Sequence, residues 1–399
     1  MIEPVAKANW DIFCKIVDNF GDIGVCWRLA RQLRLEHGLQ IRLWIDDLEA
    51  AQKIIPSLNV AENSQICDEI TICHWTESAD FSQAADVVIE GFSCELPASY
   101  LTAMVHKKSK WVNLEYLSAE SWVDDFHAKP SPQNFLNSNY GLTRYFYFPG
   151  FTEATGGLIR ESHIEAQLQS PNNPHPQAGE GARQRGRGAV YVDSDVAPLS
   201  NLSPANGGEA LKISLFCYPQ APIHALFDAF VLSNQVINCY VPASSILPQI
   251  AAYFGVETIE VGDYFTRDNL HVHILPFLSQ ADYDALLCDC DLNFVRGEDS
   301  WLRAIWAGKP FIWQPYFQDD NTHVKKLDAF LNLFYANFDA KKVVCEAHSA
   351  WLAGNITIEI LQNYFANLSA IKDHTQQQSA HLAQQPDLAS KLVDFCNKI

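Results

Sequence analysis

The sequence predicts an α/β protein built as two doubly wound halves that face each other across a cleft. Three observations predict it. Short apolar runs alternate with helical stretches along the chain, the pattern of parallel sheets with crossover helices. A polar stretch from about residue 162 to 208, rich in Pro, Gly, Gln and Arg, divides the chain into two such series. The same strand–turn–helix grammar then occurs once in each half, at Trp10 to Leu33 and at Val295 to Tyr316. Ligands gather where such strands end.

In the first half, Ile12 to Val17 reads as a buried strand, after a lead-in over residues 1–9. A turn with two carboxylates and two glycines follows, then an amphipathic helix. Ile41 to Asp46, Ile70 to Trp75, Ala85 to Phe92 and Lys110 to Leu117 are four further compact strands, separated by helices such as that around CELPASYLTAMVHKK. In the second half ALKISLFCYP, VINCYVP, HVHILPF, DLNFV and PFIWQPY read as strands. HALFDAFVL, SQADYDALLCD and HVKKLDAFLNLFYANF read as helices between or after them. The tail from Ala340 is helical, with a glutamine-rich break, HTQQQSAHLAQQ, before a last helix. The expected domains are therefore 1–161, a linker or insertion at 162–208, 209–375, and a C-terminal helix within 376–399 that could pack back on the first half.

With 399 residues, 48% hydrophobic and 12% aromatic, the chain can bury a core in each half. Lys and Arg total 28 against 47 Asp and Glu, a net charge of −19. That balance argues against a nucleic-acid backbone as partner and suits a cationic one. Eleven scattered cysteines form no CxxC pair and no zinc-like spacing with histidine, so no metal site is expected. There is no signal-peptide core and no apolar run of ~18 residues, which points to a cytoplasmic protein that does not span a membrane.

Asp18 and Asp22 sit in the first turn with Asn19, Gly21 and Gly24. One carboxylate would serve as a helix cap, but two, with glycines admitting a ligand to the backbone, exceed what a cap needs. A dinucleotide site would want GxGxxG here, which is missing, although Asp46 ends the next strand as a ribose-binding acid would. In the second turn, Glu298, Asp299 and Ser300 open a helix beside Arg296, an arrangement suited to a diphosphate. An acidic pair opposes a phosphate, so Glu298 is expected to point into the cleft instead. Phe277, Gln280 and Tyr283 read either as core aromatics with a polar cap or as a wall for a base. Phe216 and Tyr218 lie on the same sheet edge.

Four stretches carry a resemblance: WDIFCKIVDNFGDIGVCWRLARQL, NLEYLSAESWV, PGFTEATGGLIRE and VRGEDSWLRAIWAGKPFIWQPY. They resemble the EarP family of protein-arginine rhamnosyltransferases, which modify bacterial translation elongation factor P. The resemblance covers both halves, and the 162–208 region looks like an insertion peculiar to this chain. It implies a GT-B architecture of two Rossmann-like domains, with dTDP-β-L-rhamnose as donor and an arginine of elongation factor P as acceptor. It further implies inversion at the sugar and neither metal nor cofactor. By resemblance Asp18, Asp22 and Glu298 match the essential carboxylates, with Asp22 expected as general base. Phe216, Tyr218, Phe277, Gln280, Arg296, Asp299 and Ser300 match donor-holding positions, and Asn19 and Gly21 belong with them. Tyr283 stands where some members have phenylalanine and keeps a stacking ring. Three rivals remain at this stage: a GT-B transferase with a small or lipid-linked acceptor, an NAD-dependent oxidoreductase, and a non-catalytic nucleotide-sugar sensor.

Overall fold

The computed structural model describes residues 8–18, 20–132, 141–164 and 210–399, so most of the expected 162–208 linker lies outside the described residues. The first half is an eight-stranded sheet. Its strands are β1 (Asn9–Cys14), β2 (Gln40–Ile45), β3 (Ser64–Cys67), β4 (Ile70–His74), β5 (Val87–Gly91), β6 (Lys110–Leu114), β7 (Lys129–Pro132) and β8 (Thr143–Tyr147). They lie in the order β3-β4-β2-β1-β5-β6-β8-β7. The inner strands are parallel, as the alternation predicts, but β3 and β7 pair antiparallel at the two edges. Neither edge strand has an apolar run to announce it.

The first strand also begins and ends three residues earlier than expected. Asn9 to Asp11 pair with Gln40 to Arg42, and buried Asp11 is tolerable because Arg42 and Tyr100 bind its carboxylate. Val17 instead lies 64% exposed in the turn. Helix α1 (Gly21–His37) follows, closed by Gly38 in the left-handed conformation that glycine adopts freely. Helices α2 (Leu48–Ile54), α3 (Ala98–Lys107) and α4 (Trp122–Phe126) complete this half.

The second half has six strands: β9 (Leu211–Leu215), β10 (Ile237–Pro242), β11 (Tyr264–Arg267), β12 (Leu270–Leu275), β13 (Leu292–Arg296) and β14 (Phe311–Gln314). They are ordered β11-β12-β10-β9-β13-β14, parallel but for β11. Helices α5 (Ile223–Val231), α6 (Leu247–Phe254), α7 (Gln280–Asp289) and α8 (Asp299–Ala307) connect them. Five more follow: α9 (Thr322–Phe334), α10 (Lys341–Ala353), α11 (Ile358–Ala366), α12 (Leu368–Leu382) and α13 (Leu388–Lys398).

The glutamine-rich stretch is not a break. It lies mostly within α12, where Ile371, His374, Thr375, Ser379 and Leu382 are buried and Gln376 and Gln377 face out. Glutamine is a good helix former, so the polar run is simply the solvated face. The expected boundary at 375/376 therefore falls inside a helix. The chain crosses between the halves at 383–387, and α13 returns to the first half. There Leu388 N–H donates to Leu158 O at 2.8 Å, and Phe395 packs 5.4 Å from the rings of Tyr145 and Tyr147.

Candidate functional site at the junction of the two halves

Between β1 and α1 the chain turns around a carboxylate of its own. Asp22 lies in the first turn of α1, and its Oδ2 accepts the backbone N–H groups of Val17 and Asp18 at 2.8 and 2.9 Å. Its other oxygen, Oδ1, accepts from the Tyr116 hydroxyl at 3.4 Å. Asp22 is thus anchored through one oxygen by two short bonds, and the other meets a single long one. Asp18 accepts the Tyr218 hydroxyl at 2.6 Å, a bond that crosses from one half to the other. Gly21 has no room for a side chain, since a Cβ there would stand 2.8 Å from Asp18 Oδ2. Asn19 lies outside the described residues.

The second turn comes against the first because residue 297 is glycine. Its φ is +61°, and a Cβ would meet the Tyr218 hydroxyl at 2.9 Å and Asp18 Oδ2 at 3.1 Å. Glu298 follows, its carboxylate accepting the Leu117 N–H. Burial pushes Glu298 up to about 8, the nearby charges of Asp22 and Asp18 add to the rise, and Lys326 opposes it. Burial also raises Asp18, against the Tyr218 bond and the Arg296 charge, and raises Asp22, against its two amide bonds. Two loops nearly three hundred positions apart therefore bring three carboxylates into one electrostatic unit. Two cations act on it, Arg296 on Asp18 and Lys326 on Glu298.

Beside it opens a cleft of about 630 Å³. Phe216, Tyr218, Phe277, Gln280, Tyr283, Arg296 and Ser300 all line it, together with Asp18, Gly21, Glu298 and Asp299. The Arg296 guanidinium is held by rings, 4.4 Å from the centroid of Phe216 and 4.6 Å from that of Tyr218. Phe277 packs on Phe20 of the first half at 4.9 Å, and Gln280 Nε2 donates to Gly24 O at 3.1 Å. The Gln280 Oε1 is buried without a partner, which leaves an acceptor for a ligand N–H. Ser300 is occupied locally: its hydroxyl accepts the Arg296 N–H at 3.0 Å and donates to the Arg296 carbonyl.

Asp299 borders the cleft too, and one oxygen of its carboxylate is taken by Arg28 of α1, Nε to Oδ1 at 2.7 Å. Arg28 also pairs with Asp284 and Glu161, and Arg303 binds the same two acids. This buried network went unread in the sequence, as did Tyr116 and Gly297. One signal was present. Arg28 and Gln32 sit one helical turn apart among the apolar residues of α1, where a charge needs a partner. Asp46, the would-be ribose acid, accepts the Ile16 N–H at 2.9 Å and serves the turn.

The family profile described as "Elongation-Factor P (EF-P) rhamnosyltransferase EarP" matches residues 10–397. The chain belongs to the EarP family. Protein-arginine rhamnosyltransferases of Pseudomonas putida and Neisseria meningitidis are 40% and 33% identical to it, over 98% and 97% of this chain and 98% and 96% of their own. A solved structure concerning EarP-mediated arginine glycosylation of translation elongation factor EF-P superposes with a TM-score of 0.65 at 30% identity. That match covers 98% of this chain and 99% of the other. A UDP-glucosyltransferase from Polygonum tinctorium shares the fold alone, with a TM-score of 0.50 at 9% identity over 99% of both chains. This EarP-family chain is therefore a glycosyltransferase with the GT-B architecture. Among its described residues no helix is long and apolar enough to cross a membrane, and no group of three or more His, Cys, Asp or Glu could hold a metal ion.

Proposed function

We propose that this enzyme moves L-rhamnose from dTDP-β-L-rhamnose to one arginine of translation elongation factor P, in the cytoplasm, with inversion and without a metal ion. The observation that carries the reading is the unit of three acids, all shifted upward by burial, beside an aromatic-walled cleft. A guanidinium fits that setting. It stays charged at any working pH and is a poor nucleophile while its lone pairs are delocalised. Seated among carboxylates, it can be twisted so that one nitrogen leaves conjugation and keeps its lone pair, the charge staying on the other two.

In the proposed step that nitrogen attacks the anomeric carbon from the face opposite the nucleotide. The new C–N bond forms as the C–O bond to the diphosphate breaks, and dTDP leaves with the electron pair. Asp22 Oδ1 takes the proton, its partner oxygen held still by the amides of Val17 and Asp18. Glu298, protonated near neutral pH while the site is empty, gives up its proton as the guanidinium arrives. Arg296 and the first amides of α8 stabilise the departing diphosphate. Phe277, Tyr283 and the free oxygen of Gln280 face the base. The test is mass spectrometry of elongation factor P after incubation with enzyme and dTDP-rhamnose. One added deoxyhexose on a single arginine is expected; an unmodified protein, with the sugar on a small or lipid-linked acceptor, would refute the reading.

A further inference from the structure

Lys326 lies on the second turn of α9, in the second half of the molecule, and is half-buried. Its ammonium stands 5.4 Å from the centre of the Tyr116 ring, which belongs to the first half. Tyr116 stacks on Phe92 at 4.4 Å with the planes 12° apart, and its hydroxyl donates to Asp22. A lysine of one half therefore reaches across the cleft to the ring that touches the proposed base. Its charge acts on Glu298 as well. Arg296 is the other cation acting on these acids, and it is buried between two rings and fixed. A lysine over a ring face is held softly and without direction.

We propose that Lys326 is a placeholder: a resident counter-charge at the Glu298 side of the three acids that yields when the acceptor arginine binds, and so sets acceptor affinity. This rests on the arginine-acceptor reading above. In the empty site three acidic side chains share the fields of two cations, Arg296 on Asp18 and Lys326 on Glu298. An incoming guanidinium brings its own charge and a planar fork that matches carboxylates better than an ammonium does. The guanidinium and Lys326 then compete for one field, and the lysine, on a flexible stem, is the one that can move. Acceptor binding is weakened by the competition, while the donor, in the cleft beyond Tyr218, does not feel it.

Steady-state kinetics with elongation factor P as acceptor tests this in Lys326→Met and Lys326→Arg. Lys326→Met should lower the acceptor KM by about two- to fivefold, the scale of one partly exposed charge, and leave the donor KM unchanged. Lys326→Arg keeps the charge and adds the fork that carboxylates prefer, so its acceptor KM should stay at the wild-type value or rise above it. A damaged fold would not sharpen acceptor binding, so the gain is specific. An acceptor KM that is unchanged or raised in Lys326→Met, or a Lys326→Arg enzyme that behaves like it, overturns the placeholder and leaves the proposed function standing. A wild-type enzyme that leaves the arginine unmodified overturns both.

Discussion

Glu298 and Asp299 are neighbours in sequence and border one cleft, and the start of α8 gives them different partners. Glu298 joins Asp18 and Asp22, where burial raises all three carboxyls. Asp299 joins Asp284 and Glu161 around Arg28 and Arg303. Burial alone would raise Glu161 too, but Arg303 and Arg28 pull it well below the usual carboxylate range. Both groups are buried acids at the contact of the two halves. What separates them is matching. Acids paired with arginines hold α1 against α7 and α8, whereas among the described residues the site's acids form no such direct ion pair, which suits them to a ligand.

The largest effect that could break this contrast is catalytic. Asp22→Asn keeps the shape of the side chain and removes its capacity to take a proton. The rate kcat should fall about 10²- to 10⁴-fold with the fold intact by circular dichroism. A loss of threefold or less would leave Asp22 without the base role. Next is Arg28→Met. It strands Asp299, Asp284 and Glu161 beside one remaining arginine, and denaturant unfolding should show a loss of about 3–5 kcal/mol. Asp22→Asn in the same assay should cost far less, since it removes a charge that burial already disfavours. If the two variants were equally destabilised, the distinction between matched and unmatched acids would fail.

Stability against pH sharpens the contrast through its sign. Glu298 has its carboxyl raised from 4.5 to about 8 in the folded protein. Relative to Glu298→Gln, its contribution is fully present below about 4.5 and is lost as pH rises through about 8. Glu161 is lowered, so relative to Glu161→Gln its contribution is present above about 4.5 and is lost as pH falls through its depressed value. Thermal unfolding with no acceptor present should show the Glu298 difference falling as pH rises from about 5 to about 8, and the Glu161 difference rising with pH below about 4.5 and flat above it. Slopes of the same sign would mean that the groups are not electrostatically distinct.

The two turns were legible because the chemistry sits where strands end: Asp18 and Asp22 after β1, Arg296 and Glu298 after β13. Glycines and acids stand out there against apolar runs. The parallel interior of both sheets was legible for the same reason. The edges were not, because β3 and β7 are short, polar and exposed, and only their hairpin partners define them. Arg28 was illegible for another reason. Its partners lie 133, 256 and 271 positions away, and no local period reports such pairing. Asp299 shows the same: its position at a helix start is visible in sequence, and its ion pair with Arg28 from the other half of the chain is not. Lys326 presented nothing in sequence but one more lysine on a helix.

The smallest expected effect isolates one hydroxyl. Tyr116→Phe keeps the ring beneath Lys326 and the stack on Phe92, so both contacts survive. It removes the O–H that donates to Asp22 Oδ1 at 3.4 Å. That donation holds the Asp22 carboxyl down against burial, so its loss lets the carboxyl rise further. A base works when deprotonated, and the acidic limb of the kcat–pH profile should therefore move to higher pH in Tyr116→Phe. The bond is long, so the move should be less than about one pH unit, with the plateau rate little changed. In Lys326→Met the same limb should stay nearly in place, because the lysine acts on Glu298 and the acceptor's seat. A limb that moves in Lys326→Met and not in Tyr116→Phe would assign the titrating base to Glu298 and take it from Asp22.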